Sequence, residues 1–257
     1  MTGPLVTRHV QEGIATLTLN DPTRRNVLSS EMMGELLQCL AEAEKSSDVR
    51  VVVIAANGPV FSSGHDLSEL AEGDREDQTL VFALCTRLME TIRLLPKPVI
   101  ASVQGLATAA GCQLVATCDL AIASEDAAFA TPGVDIGLFC TTPAVALGRA
   151  VHAKVAMEML LTGEPVPAQE AMNNGLVNRV VPAEVLQEAT LSLARKVASA
   201  PTSTVSMGKS AFYRQMSLDR PEAYQVSQKV MVDNLQHPDA IEGIHAFLEK
   251  RPPIWPT

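Results

Sequence analysis

Two stretches of small residues carry the chemistry this sequence offers. One runs from Gly58 through Phe61-Ser62-Ser63-Gly64-His65-Asp66-Leu67, the other from Gly105 through Thr108-Ala109-Ala110-Gly111-Cys112-Gln113. Each follows an apolar run and is built of residues small enough to expose backbone N–H groups. Two peptide donors at the starts of two helices can bind one carbonyl oxygen and stabilise the negative charge that develops on it, often the largest single contribution to catalysis. A thioester enolate suits such an oxyanion hole. The second stretch also lacks any neighbouring carboxylate that would move protons near that enolate.

The remaining polar candidates are weaker. Neighbours on one turn rarely aim at each other, so Ser62 or Ser63 with His65 and Asp66 does not make a nucleophilic triad. His65 is better placed to use its backbone N–H than its imidazole, because the ring would have to turn toward a ligand that the amide already faces. Glu69 and Glu72 lie one turn into the following helix and either overhang a ligand channel or belong to a solvated face. Asp119, Glu125 and Asp126 read as surface carboxylates. Cys112 and Cys140 flank the pocket region as inert buried thiols. The five histidines lack metal-ligand spacing, and the glycine-rich runs fit neither GxGxxG nor GxxxxGK[ST].

The elements that must position these stretches follow from periodicity. Leu5 to Val10 and Ile14 to Asn20 read as a hairpin, and Ser29/Ser30 with Glu31 open an amphipathic helix to Lys45. Val49 to Ala55 is a buried strand ahead of the first small-residue turn, and Asp66 to Glu72 a short helix. Glu72 to Gln78 reads as a charged loop before a helix from Leu80 to Leu95, which Pro96 and Pro98 stop. Val99 to Val103 is a strand, Ala109 to Thr117 a helix, and Leu120 to Ala123 and Phe129 to Thr131 are further strands. This alternation predicts an α/β protein with a mostly parallel sheet and helices on its faces. From Ala144 onward the pattern is nearly all helix. No internal repeat or flexible linker interrupts it.

With 257 residues, 47% of them hydrophobic, the chain can bury a sizeable core. A net charge of -9 argues against nucleic acid or an anionic membrane as partner, since both need a basic surface. The apolar runs are of strand length or carry charges, so no transmembrane segment is expected. Five cysteines without CxxC spacing, together with a first ten residues unlike a signal or transit peptide, make cytoplasmic the expected location.

Phe61 to Leu67 resembles the FxxGxDL turn of the crotonase (enoyl-CoA hydratase/isomerase) superfamily. Lys97-Pro98-Val99-Ile100-Ala101 with Gly105 through Asp119 resembles its KPVIAAVxGxAxGGGxxLAxxCD segment. Phe129-Ala130-Thr131-Pro132, Leu161-Thr162-Gly163, Gly175-Leu176-Val177 and the C-terminal Glu242-Gly243 with Ala246 to Arg251 continue the likeness in order along essentially the whole chain. The resemblance implies a spiral of ββα units over residues 1–195. It implies a C-terminal helical region over 196–257 used in trimerisation, a homotrimer or dimer of trimers, and an acyl-CoA thioester as ligand in fatty acid metabolism. CoA would be part of the substrate, with no separate cofactor and no metal.

The resemblance also assigns residues. The oxyanion donors would be the amides of His65 and Ala110, the latter an alanine where the family has glycine. At a helix start φ is negative, so alanine fits there, and its methyl narrows the approach. Ser63, His65, Asp66 and Leu67 at the first turn, Arg25, and the C-terminal Phe247 and Lys250 would contact CoA. The family's two hydratase glutamates correspond to Gln113 and Gly133, and a further acid used by isomerases and dehalogenases to Thr141. All three posts are non-acidic. Asp135, two residues beyond Gly133, would face the same side in an extended segment and is the candidate substitute acid. Ordinary hydration of a 2-enoyl-CoA is therefore not expected. Three possibilities stand: an enzyme with unusual proton carriers (hydratase, isomerase or hydrolase), a non-catalytic acyl-CoA binding protein, or a structural oligomer with a vestigial pocket.

Overall fold

A computed structural model of the protein describes residues 3–255. The chain opens with the expected hairpin, β1 (Val6–Gln11) and β2 (Ile14–Leu19), paired antiparallel. Helix α1 (Ser30–Lys45) begins where the Ser29 hydroxyl accepts the Met32 amide, and it buries Met32, Met33, Leu36, Leu40 and Ala43. Its far end is capped from a distance. Lys97, 6% exposed, donates through Nζ to the carbonyls of Ala43 and Ser46.

The chain then alternates between two sheets. β3 (Val51–Ala56), β5 (Val99–Val103), β7 (Leu120–Ser124) and β10 (Arg179–Val181) join the hairpin in a six-stranded sheet of order β1-β2-β3-β5-β7-β10, parallel throughout except for the hairpin. β4 (Val60–Ser62), β6 (Leu106–Thr108), β8 (Ala128–Ala130) and β9 (Val166–Pro167) form a second sheet in that order. Three times in succession a strand of the large sheet is followed by a short strand of the small one and then by helix. These helices are α2 (Leu67–Glu72) and α3 (Arg75–Leu94), then α4 (Ala110–Thr117), then α5 (Thr141–Ala150) and α6 (Ala153–Thr162). The expected α/β spiral of ββα units is thus present.

α7 (Ala168–Asn173) and α8 (Leu186–Ala198) follow, and α9 (Thr202–Gln215), α10 (Arg220–Leu235) and α11 (Pro238–Glu249) complete the chain. One face of the large sheet contributes to the main core with α1 and α3. On the other, Ile14, Val51, Val53 and Ile100 pack against Ala194 and Ala198 of α8. Burial on both faces explains the unbroken apolar run of β3. The division expected between 195 and 196 falls inside α8, which stays on the sheet to its last turn. The charged stretch expected to be a loop over 72–78 is mostly the first turn of α3, where Asp74 and Asp77 form a reciprocal capping box.

Candidate active site

β4 and β6 are parallel neighbours, with Ser62 beside Ala107. β4 leads through residues 63–66 into α2, and β6 through Ala109 into α4. Adjacent parallel strands that end this way bring their turns side by side. A methyl group placed on Gly64 would lie 2.8 Å from Ala109 Cβ and 3.1 Å from the Ala110 nitrogen. Gly64 also has a φ of +86°, so its freedom of backbone and its missing side chain are both needed there.

The Leu28 amide donates to the Gly64 carbonyl at 2.7 Å, in a bridge that pairs Leu28 with His65. Among the described residues, neither the His65 amide nor that of Ala110, the first residue of α4, has a hydrogen-bond acceptor. Unpaired backbone donors inside a protein are rare, and two within one small volume can donate to a single oxygen. The backbone cost lies one residue earlier than the sequence suggests. Ala110 is helical, whereas Ala109 holds φ 51° and ψ −119° as the N-cap of α4. Gly111 is required for space, because a methyl there would lie 2.5 Å from the Ser62 carbonyl oxygen.

The three positions that the resemblance assigns to the family's acids differ from one another. Gln113 is 5% exposed and faces α3, where the Cys85 thiol donates to its Oε1 at 4.0 Å. Burial pushes the Cys85 thiol up to about 11, so it stays neutral. Gly133 is closed rather than merely without a side chain. A methyl there would lie 2.3 Å from the Leu138 carbonyl oxygen and 2.8 Å from Cys140 Sγ. The segment Pro132–Ile136 folds as a 3-10 turn, and the Leu138 amide returns to the Gly133 carbonyl at 2.8 Å.

That turn also removes the premise on which Asp135 was aligned with residue 133, since the period of two holds only for extended chain. Asp135 is exposed, and its Oδ2 lies 3.0 Å from where a Gly163 methyl would stand. Thr141 is exposed at the start of α5, its hydroxyl donating to the Phe139 carbonyl at 3.1 Å. Glu69 ties α2 to α1 by accepting the Ser30 amide and hydroxyl, each at 3.0 Å, and Glu72 is exposed. Asp119 is no surface carboxylate. It accepts from the Val99 amide, Lys209 Nζ and the Tyr213 hydroxyl at 2.7, 2.7 and 2.8 Å.

The His65 ring packs edge-on against Phe82 of α3 with centroids 5.2 Å apart, and its Nε2 is buried without a partner. Burial lowers its pKa, opposed by the charge of Glu69. Asp66 caps α2 by accepting the Ser68 amide at 3.0 Å and pairs with Arg24. Arg25 and Leu67 are exposed, and the Ser63 amide donates to the Arg25 carbonyl at 3.0 Å.

Sequence reasoning passed over Asn26. Fully buried at φ 51°, its side chain donates to the carbonyls of Asn57 and Val60 at 2.9 and 2.8 Å, and its own carbonyl accepts the Ser62 hydroxyl at 2.8 Å. It fastens the Arg25 loop to the first turn. The signal was an asparagine, a residue that tolerates left-handed backbone, at the end of a Pro-containing turn. Phe247, 82% exposed, and Lys250 stand on or just past α11. Among the described residues no cluster of side chains could hold a metal ion, and no helix is long and apolar enough to cross a membrane.

A sequence model of the enoyl-CoA hydratase/isomerase family matches residues 9–257. The rat enoyl-CoA hydratase domain-containing protein 3, mitochondrial, is 52% identical over 98% of this chain and 84% of its own length. The crystal structure of the human domain-containing protein 3 superposes with a TM-score of 0.96 at 52% identity, covering 98% of this chain and all of that one (100%). An enoyl-CoA hydratase structure from Mycobacterium smegmatis gives a TM-score of 0.96 at 48% identity, covering 99% and 100% of the two chains. The expected cytoplasmic location does not stand, because the rat, mouse and human relatives carry the designation mitochondrial. The make-up of the first ten residues was no guide to compartment.

Proposed function

Because this chain belongs to the enoyl-CoA hydratase/isomerase family, we propose that it binds acyl-CoA thioesters with the thioester oxygen between the amides of His65 and Ala110. The carrying observation is the approach of Gly64 to Ala110 with both amides free of protein acceptors among the described residues. Arg25 is exposed beside the first turn, where a cation can meet the CoA phosphates. Binding of this kind polarises the carbonyl and acidifies the α-carbon whether or not water is added.

Hydration in the family's usual manner needs two carboxylates. Here one post holds a carboxamide, and the other is filled by the chain itself. Each missing acid or base removes roughly 10²–10⁴-fold in rate, so hydration of crotonyl-CoA is expected at least ~10⁴-fold below that of a two-glutamate relative. The closure at Gly133 favours, as a second reading, an acyl-CoA binding protein without turnover. Calorimetry with butyryl-CoA tests the first claim, and loss of the enoyl absorbance of crotonyl-CoA tests the second. Hydration at the rate of a two-glutamate relative would refute the lost-acid account. Failure to bind any acyl-CoA would refute the thioester assignment. Gly133→Glu is expected to disrupt the fold rather than restore activity, whereas Gln113→Glu can be accommodated.

We further propose that α9 to α11 serve assembly with other copies of the chain as a trimer or dimer of trimers. Met231, Val232, Ile244, Phe247 and Leu248 of α10 and α11 are each at least 45% exposed, an apolar surface that a second copy would cover. Phe247 and Lys250 would then reach a neighbouring subunit's CoA. Sedimentation that finds only monomer at micromolar concentration would exclude this assembly.

A further inference from the structure

Two side-chain atoms beside the unpaired amides are buried without a partner among the described residues: His65 Nε2 and Thr108 Oγ1. Buried polar atoms are almost always hydrogen-bonded, so a pair of orphans calls for an explanation. Both lie at the junction of the two turns, where the Thr108 carbonyl oxygen is 3.1 Å from the position of a Gly64 methyl.

The His65 ring also has a definite direction. It rests on Phe82, while Gln113 reaches Cys85. Phe82 and Cys85 are three residues apart on α3 and share one face of that helix. The imidazole and the carboxamide are therefore neighbours along α3, and the imidazole borders the post where the family carries its first glutamate. Gln113 cannot accept a proton at neutral pH. A neutral imidazole can, and burial favours the neutral form of His65.

We infer that the His65 imidazole is the catalytic base of this site and removes the α-proton of a bound acyl thioester. The inference rests on the thioester reading given above. In the step, the lone pair on Nε2 forms a new N–H bond as the Cα–H bond breaks. The released electron pair moves through the Cα–C bond onto the carbonyl oxygen, giving an enolate held by the amides of His65 and Ala110. The imidazolium then returns the proton to Cα, or to Cγ of an unsaturated chain with a shift of the double bond. No water, oxidant or further reactant enters, so the closure at Gly133 does not obstruct it. Gln113 remains a neutral hydrogen-bonding neighbour, and one residue supplies both a backbone donor and a proton acceptor.

The test is α-proton exchange of butyryl-CoA in deuterium oxide with the full-length protein, read by mass spectrometry or NMR, alongside calorimetry of butyryl-CoA binding. The native protein is expected to exchange the α-protons at least ~100-fold above the protein-free rate. His65→Gln and His65→Asn are expected to lose at least ~100-fold of that exchange while binding butyryl-CoA within about threefold of the native affinity. Added imidazole is expected to restore part of the exchange to His65→Ala. Native protein that binds butyryl-CoA without exchanging it overturns the base and leaves the thioester reading intact. Exchange that survives in all three variants overturns it as well. Absence of butyryl-CoA binding by the native protein is the separate failure of the thioester reading.

Discussion

Ala109 carries a backbone that glycine adopts freely and alanine does not, with φ 51° and ψ −119°, at the residue just before Ala110. Such conformations cost on the order of 1–3 kcal/mol and persist where the surroundings over-determine them. Ala109→Gly should therefore raise stability by about 1 kcal/mol in denaturant unfolding, once the greater freedom of unfolded glycine is counted. Gly111→Ala, with its methyl 2.5 Å from the Ser62 carbonyl oxygen, should lose roughly 3 kcal/mol or more. His65 offers a different handle. Burial sets its folded pKa below the ordinary 6.5, so between the two values the unfolded chain binds more protons. Its contribution to stability is complete above pH 6.5 and falls away as the pH drops toward the folded value. Glu69 is the charge opposing this shift. Melting curves from pH 7.5 to 5 should show the loss, and His65→Gln should flatten it. The two small-residue turns were legible in composition, whereas the assignment of donors to 65 and 110 comes from the family resemblance and stays a proposal. The closure at Gly133 was not legible, because it depends on where residues 138–140 return.

At the scale of elements, α9 is held to the body by a part-buried ionic contact. Lys209, with 7% of its side chain exposed, meets Asp119, with 15%, and also donates to the carbonyls of Ile92 and Lys97 at 3.0 and 3.1 Å. Desolvation lowers the Lys209 pKa against the pull of Asp119. Removing one member strands the other, so Lys209→Met should cost about 3 kcal/mol and expose the chain near Pro201 to limited proteolysis. The sequence suggested a surface carboxylate for Asp119 because its side-chain partners, Lys209 and Tyr213, lie some ninety residues away in the chain. β3 and β5 were readable from apolar, largely β-branched runs, and β7 from an apolar run alone. β4 and β6, at three residues each, lie inside the two small-residue stretches and so read as parts of turns, although they lead into the candidate site. The start of α3 was missed for another reason. Its charges alone suggest a loop, while Asp74 and Asp77 at capping spacing mark a helix.

Across the whole molecule, the boundary between core and C-terminal helices follows packing rather than the likeness of motifs. Ala198 lies against the large sheet and its carbonyl accepts Arg50 Nη1 at 3.2 Å, so a chain ending at residue 195 removes part of a core helix. A fragment of residues 1–200 should be recovered in soluble form more readily than one of 1–195, as measured by expression and circular dichroism. The residue pattern indicates a mostly parallel sheet, whereas the alternation between two sheets follows only from the family resemblance. The sequence shows no repeat because the three units share backbone geometry and not residue types. That arrangement has a consequence for how such a protein changes its chemistry. Neighbouring parallel strands stand about 4.8 Å apart, and this spacing, not any side chain, sets the gauge between the two turns that carry the proposed donors. If the proposed grip is right, side groups around it can be exchanged, plugged or lost while its jaws keep their separation, and such a scaffold would trade one reaction for another without rebuilding them.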